Sequence, residues 1–148
     1  MTETDDVLAI TALVHRYAEL LDEGDLDAMA ALFERSTWGS GTRRSRLQGT
    51  EQVRHAYDGV ILYEDGTPRT KHVISNLVIE VAPDRATAAG RSYFTVLQAT
   101  EGLPLQPIIA GRYHDAFLRD AGTWWFSERI IHPDLQGDLS RHMLGPTR

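Results

Sequence analysis

Thr70-Lys71-His72-Val73-Ile74-Ser75-Asn76-Leu77-Val78-Ile79-Glu80-Val81 is where the character of the chain changes. Its β-branched residues and two-residue alternation read as a long strand over about 71–82. Three more extended runs follow, at about 86–100, 105–118 and 123–132, separated by Pro83-Asp84, Glu101-Gly102 and Asp120-Ala121-Gly122. Such short, turn-rich junctions predict hairpins, so the second half of the chain reads as an antiparallel meander.

Upstream the period changes. Val7, Ile10, Leu13, Val14, Tyr17, Leu20 and Leu21 fall on one helical stripe behind an Asp5 or Asp6 N-cap, and Gly24 is a natural stop. Asp25 then caps a shorter helix carrying Leu26, Met29, Ala30, Leu32 and Phe33. Residues 36–48 read as a loop with edge strands at Thr37-Trp38 and Arg46-Leu47-Gln48, and Thr50 caps a third helix through Val53, Ala56, Tyr57, Val60 and Ile61. Three helices before a meander make an α+β domain, whose curved antiparallel sheet can wrap the first helix and leave a pocket between them.

With 148 residues, 42% of them apolar, the chain suits one domain over 1–148, its core at about 7–132. A net charge of −6 argues against nucleic-acid partners, and the absence of cysteine removes disulfides, thiolate metal sites and a Cys nucleophile. The acidic start and the lack of a long apolar run predict no membrane partner and a cytoplasmic location. The spacing of His15, His55, His114, His132 and His142 predicts no metal; Gly39-Ser40-Gly41 lacks the rest of a phosphate loop, and Arg43-Arg44-Ser45-Arg46 reads as a solvated loop. No cofactor is expected.

Tyr17 through Ala28, with its Tyr, then Asp, then Gly-Asp before a short helix, and Thr70 through Asn76 carry a family resemblance. Together with Gly111-Arg112-Tyr113-His114-Asp115 and Gly122-Thr123-Trp124-Trp125-Phe126, they resemble the SnoaL-like branch of the nuclear transport factor 2-like superfamily over about residues 7–132. The resemblance implies a cone-shaped fold, three N-terminal helices against the curved sheet, and a homodimer through that sheet. Within the superfamily the chain is most similar to scytalone dehydratase and hexachlorocyclohexane dehydrochlorinase, which implies that His72 is the catalytic base and Asp22 its partner. It departs from ketosteroid isomerase, whose base falls near Gly39-Ser40 and whose second acid falls near Gly111. Scytalone dehydratase also has a second His on the next strand, where this chain offers Arg91 or Ser92.

A neutral imidazole is a suitable base near pH 7, and a carboxylate on its other nitrogen fixes the tautomer. The bland alternative for His72 is a partly exposed residue at a strand entrance. Asp22 lies off the Ile10–Tyr17–Leu21 stripe at about 100° per residue, so it turns inward only if the helix ends just before Gly24. Alternation puts His72, Ile74, Asn76 and Val78 on one strand face, making Asn76 a candidate substrate contact. Tyr17 offers an O–H inside the helix stripe, Trp38 a pocket wall, and Arg129, sharing a face with Trp125, Ser127 and Ile131, resembles a pocket arginine able to hold a halide, hydroxyl or carboxylate. In the tail, 133–148, Leu135, Leu139, Met143 and Leu144 have the spacing of a short helix, a lid or dimer contact. The expected function is a cofactor-independent lyase or isomerase, dehydratase-like, acting on a small hydrophobic, cyclic or polyketide-like substrate. The alternative is a non-catalytic small-molecule-binding or dimerisation module.

Overall fold

The structure, a computed structural model, describes residues 1–41 and 46–145. The expectations for Arg43, Arg44 and Ser45 and for the last three residues of the tail lie outside the described residues. Helix α1 spans Glu3–Glu23. Its cap is Thr2, not Asp5 or Asp6: the Thr2 hydroxyl accepts the Asp5 N–H while the Asp5 carboxylate accepts the Thr2 N–H, a reciprocal box that starts the helix earlier than the apolar stripe suggests. Asp6 is fully buried, accepting Trp124 Nε1–H at 3.0 Å and facing Arg85 and Arg119. Gly24 closes α1 at φ 79°, a left-handed conformation that glycine adopts freely. Asp25 caps α2, Leu26–Ala31, as expected.

Strands β1 (Thr37–Ser40) and β2 (Leu47–Gln48) precede α3 (Gly49–Ala56), whose N-cap is Gln48 rather than Thr50. Then come β3 (Thr70–Val81), β4 (Thr87–Thr100), β5 (Leu103–Asp120) and β6 (Thr123–Gln136). They form one curved sheet in the order β2-β1-β6-β5-β4-β3. The meander is antiparallel throughout, but β1 lies parallel to β6, which corrects the all-antiparallel expectation. No hairpin joins β1 to β6, so no turn imposes the antiparallel direction.

Helix α1 packs against β3 and β6, and its stripe buries Ile10, Val14, Tyr17, Leu20 and Leu21 with Phe33, Phe94, Phe117 and Phe126. Two bulges reset the strand faces. In β3 the pairing with β4 slips between Ser75 and Val78, with Asn76 at φ 52°; between β5 and β6 it slips at Ala116 and Phe117. The described part of the tail, to residue 145, is not helical. Strand β6 runs on to Gln136, after which Gly137 N–H donates to Ile108 O and Leu144 N–H to Gly59 O, both at 2.8 Å. Met143 bridges to Val60, so residues 137–144 form a strap across the open end of the sheet. No described helix is long and apolar enough to cross a membrane.

Candidate functional site

Beneath that strap, between α1 and the sheet, lies a cavity of about 200 Å³. Its wall is mostly apolar, including Leu21, Phe94, Val96, Ile109, Ile131 and Leu139, and its polar groups come from Tyr17, Trp38, Tyr57, His72, Tyr113 and His142. A largely apolar hollow with a few convergent polar groups is the usual form of a small-molecule site.

His72 enters this wall from the start of β3. Its Nδ1 lies 2.7 Å from Asp22 Oδ1, and its backbone N–H donates to Asp22 Oδ2 at 2.8 Å. Thr70 Oγ1–H donates to the same carboxylate at 2.8 Å. Burial pushes the Asp22 carboxyl up, but the hydrogen bonds and charge of His72, with help from Thr70, outweigh it and hold the group below its ordinary value. An ionised Asp22 accepts the Nδ1 proton, so Nε2 is the basic nitrogen left for the cavity.

Helix α1 ends at Glu23, just before Gly24, the condition that helical geometry set, and Asp22 in its last turn reaches His72. Asp22 follows Ala18 by one turn, and Ala18 is 5% exposed, because β3 runs along this flank of the helix and the small alanine lets it approach. Strand β3 thus supplies a second apolar surface for α1, beside the main stripe.

Tyr17 and Tyr57 share a hydrogen bond at 2.5 Å, and Tyr113 packs edge-on against Tyr17 with ring centroids 5.8 Å apart. Burial raises all three phenols, Tyr57 and Tyr113 well above their ordinary value, so they stay neutral and can donate. Trp38 lines the cavity as expected of a wall, packing against Tyr57, with its Nε1 enclosed and unpartnered.

Two candidate contacts are corrected. Asn76 is exposed and lies in a separate surface hollow with Arg91, Tyr93 and Arg112. The bulge at its own backbone moves Leu77, Ile79 and Val81 onto the inner face that Asn76 and Val78 were assigned by unbroken alternation. Arg129 points inward but does not line the cavity. Fully buried, it makes a two-pronged pair with Asp115, Nε to Oδ1 and Nη2 to Oδ2 both at 2.8 Å. Its guanidinium also lies over Tyr113 and Tyr17, at 3.8 and 4.4 Å from the ring centroids. A bulge places it with Phe126 rather than with Trp125 and Ser127. The cation is committed to the scaffold.

Three of the cavity's polar residues have no role legible in the sequence: Tyr57, Tyr113 and His142. Tyr57 reads as one of the apolar positions of α3, and the spacing of His142 speaks only to metal binding. In the structure the tail brings His142 to the cavity that holds His72, with Nδ1 enclosed and unpartnered. Burial, then the neighbouring His72, depresses this imidazole to about 4 against an upward pull from Asp22. Opposite His72 on β4 stands Val96, and the other imidazole lining the cavity is that of His142 in the tail. Among the described residues no cluster has the makings of a metal site.

Residues 2–130 match the SnoaL-like domain family. Solved structures share the fold. One is an inferred scytalone dehydratase from Novosphingobium aromaticivorans, 24% identical with a TM-score of 0.73, covering 93% of this chain and 91% of that one. LinA is 20% identical with a TM-score of 0.71, covering 97% and 96%. Aln2 from a Streptomyces species is 19% identical with a TM-score of 0.70, covering 90% and 94%. No curated protein matches the chain.

Proposed function

Since this chain belongs to the SnoaL-like domain family, we propose that it is a cofactor-independent lyase or isomerase of the dehydratase kind, acting on a small hydrophobic cyclic substrate. The observation that carries this reading is the 2.7 Å contact of His72 Nδ1 with Asp22 at the wall of an apolar cavity. Nε2 of His72 takes an acidic C–H proton. The C–H electron pair then becomes a carbon–carbon double bond and expels hydroxide or halide, or the proton is returned at another carbon and the product is an isomer. Asp22 keeps Nδ1 protonated and stabilises the imidazolium that forms. Neutral Tyr17 and Tyr57, joined at 2.5 Å, have one hydroxyl proton beyond the one they share, available for a substrate oxygen. The dehydratase named among the structural neighbours supports the same reaction class.

The test is a screen of hydroxylated and halogenated cyclic compounds with the wild-type protein and a His72→Ala variant. Turnover that drops by about 10²–10⁴-fold in the variant supports the base role. Equal turnover by both proteins excludes it.

A further inference from the structure

We propose that His142 is a substrate-binding group of this site, a neutral N–H donor carried on the tail strap that holds an oxygen of an uncharged, single-ring substrate. The proposal rests on the reading of the cavity as the reacting site and deepens it by naming the substrate class.

His142 lines the same cavity as His72, and its position is fixed by main-chain bonds on both sides. Ile61 N–H donates to His142 O at 2.8 Å and His142 N–H to Leu139 O at 3.0 Å, while Gln98 Nε2–H donates to Arg141 O at 2.9 Å. Its Nδ1 is enclosed without a partner, so Nε2 is the nitrogen left to face a ligand. A proton on the enclosed nitrogen would be a stranded buried donor; on Nε2 it has the cavity to point into. The ring is neutral, held so by burial and by His72, the ionisable groups acting on it being His72 and Asp22. The cavity therefore offers a donor at His142 and an acceptor at His72, which suits a substrate with an oxygen near its acidic C–H.

Charge and size narrow the class. Among the described residues lining the cavity there is no lysine or arginine, and Arg129 is locked to Asp115, so nothing there neutralises a carboxylate. An apolar cavity of roughly 150 Å³ holds a benzene ring, so the 200 Å³ here fits one ring with small substituents.

Acetophenone and α-methylstyrene have the same shape and differ by a carbonyl oxygen, and benzoate adds a charge. Binding to the wild-type protein and to His142→Phe and His142→Gln is followed by calorimetry. The wild type binds acetophenone about tenfold tighter than α-methylstyrene, the worth of one hydrogen bond, and tighter than benzoate. His142→Phe keeps the ring and loses the preference; His142→Gln keeps an N–H and part of it. Failure of acetophenone to bind, no preference in the wild type, a preference undiminished in His142→Phe, or tighter binding of benzoate overturns the proposal. If His142→Phe does not fold, the wild-type preference and His142→Gln still decide. Binding needs no turnover, so a His72→Ala protein that keeps the preference separates failure of the base role from failure of this one.

Discussion

A single carboxylate, Asp22, receives both the ring Nδ1–H and the backbone N–H of His72, at 2.7 and 2.8 Å. The contact joins the last turn of a helix to the first residues of a strand, and it fixes the imidazole in position and in tautomer together. Asp22→Asn keeps the shape but offers an amide that can donate to Nδ1, which favours the tautomer with its proton on Nε2. Turnover should fall by roughly 10²–10⁴-fold, mainly in kcat. Stability shows the same contact. The folded carboxyl titrates below its ordinary 3.8, so it stabilises the fold above that pH and the benefit disappears as pH falls through the lowered value. Urea midpoints of the wild type and Asp22→Asn, compared at pH 7 and pH 3, should differ more at the first than at the second.

Through His142 the fold loses stability in the same direction as pH falls, but over a higher range and because burial, not a partner, lowers its value. Its folded value of about 4 lies below the ordinary 6.5, so the unfolded chain takes up the proton first. The fold therefore loses stability as pH falls from about 6.5 to about 4, by about 3 kcal/mol in full. His142→Gln removes this loss. Denaturation at pH 7.5 and pH 4.5 should show the variant gaining on the wild type at the lower pH, with His72 and Asp22 still present in both. A constant difference across that range would mean that the ring is not held neutral.

Asn76 is set by backbone, not by ligand. At φ 52° it occupies the left-handed region that asparagine tolerates and β-branched residues avoid. Asn76→Val should cost about 1–2 kcal/mol, while Asn76→Gly should be close to neutral. Neither should alter turnover, because the side chain faces a surface hollow away from the cavity. A loss of turnover in Asn76→Gly without loss of thermal stability would return this residue to the site.

The parts of the fold legible in the sequence are those written as repetition. The stripe from Ile10 to Leu21, the Gly24 stop and four extended runs place α1 and the meander within a few residues. What repetition cannot show is its own interruption. The bulge at Asn76 costs nothing that a pattern of apolar residues records, since Leu77 and Ile79 read equally well on either face. The site divides in the same way. His72 and Asp22 stand out through a resemblance, whereas the pairing of Tyr17 with Tyr57, 40 residues away, depends on how α3 sits against α1. His142 left one indirect signal, the apolar residues Leu139 and Met143 around it, which mark a segment laid over something apolar. Arg129 misled because a lone arginine among apolar strand residues looks like a ligand anchor, and Asp115, its partner on the adjacent strand, becomes visible only once strand register is known.

That last pair gives the sharpest test of scaffold against site. Arg129 and Asp115 have side chains 0% and 1% exposed and share two hydrogen bonds, through Nε and Nη2, while Nη1 is enclosed without a hydrogen-bond partner. Burial pulls the guanidinium's pKa down, and the charge and hydrogen bonds of Asp115 more than restore it. Arg129→Met leaves a carboxylate buried without its cation, a defect that typically costs about 3–5 kcal/mol. Arg129→Met with Asp115→Leu removes both charges and puts apolar volume in their place, which is commonly neutral or better. Guanidinium melts should therefore show the single variant strongly destabilised and the double variant recovering most of the loss. Were Arg129 instead an anchor for substrate, the double variant would be as defective in acetophenone binding as the single one. A scaffold role predicts that affinity returns with stability, because His72, Tyr17 and His142 regain their places once the charges are gone.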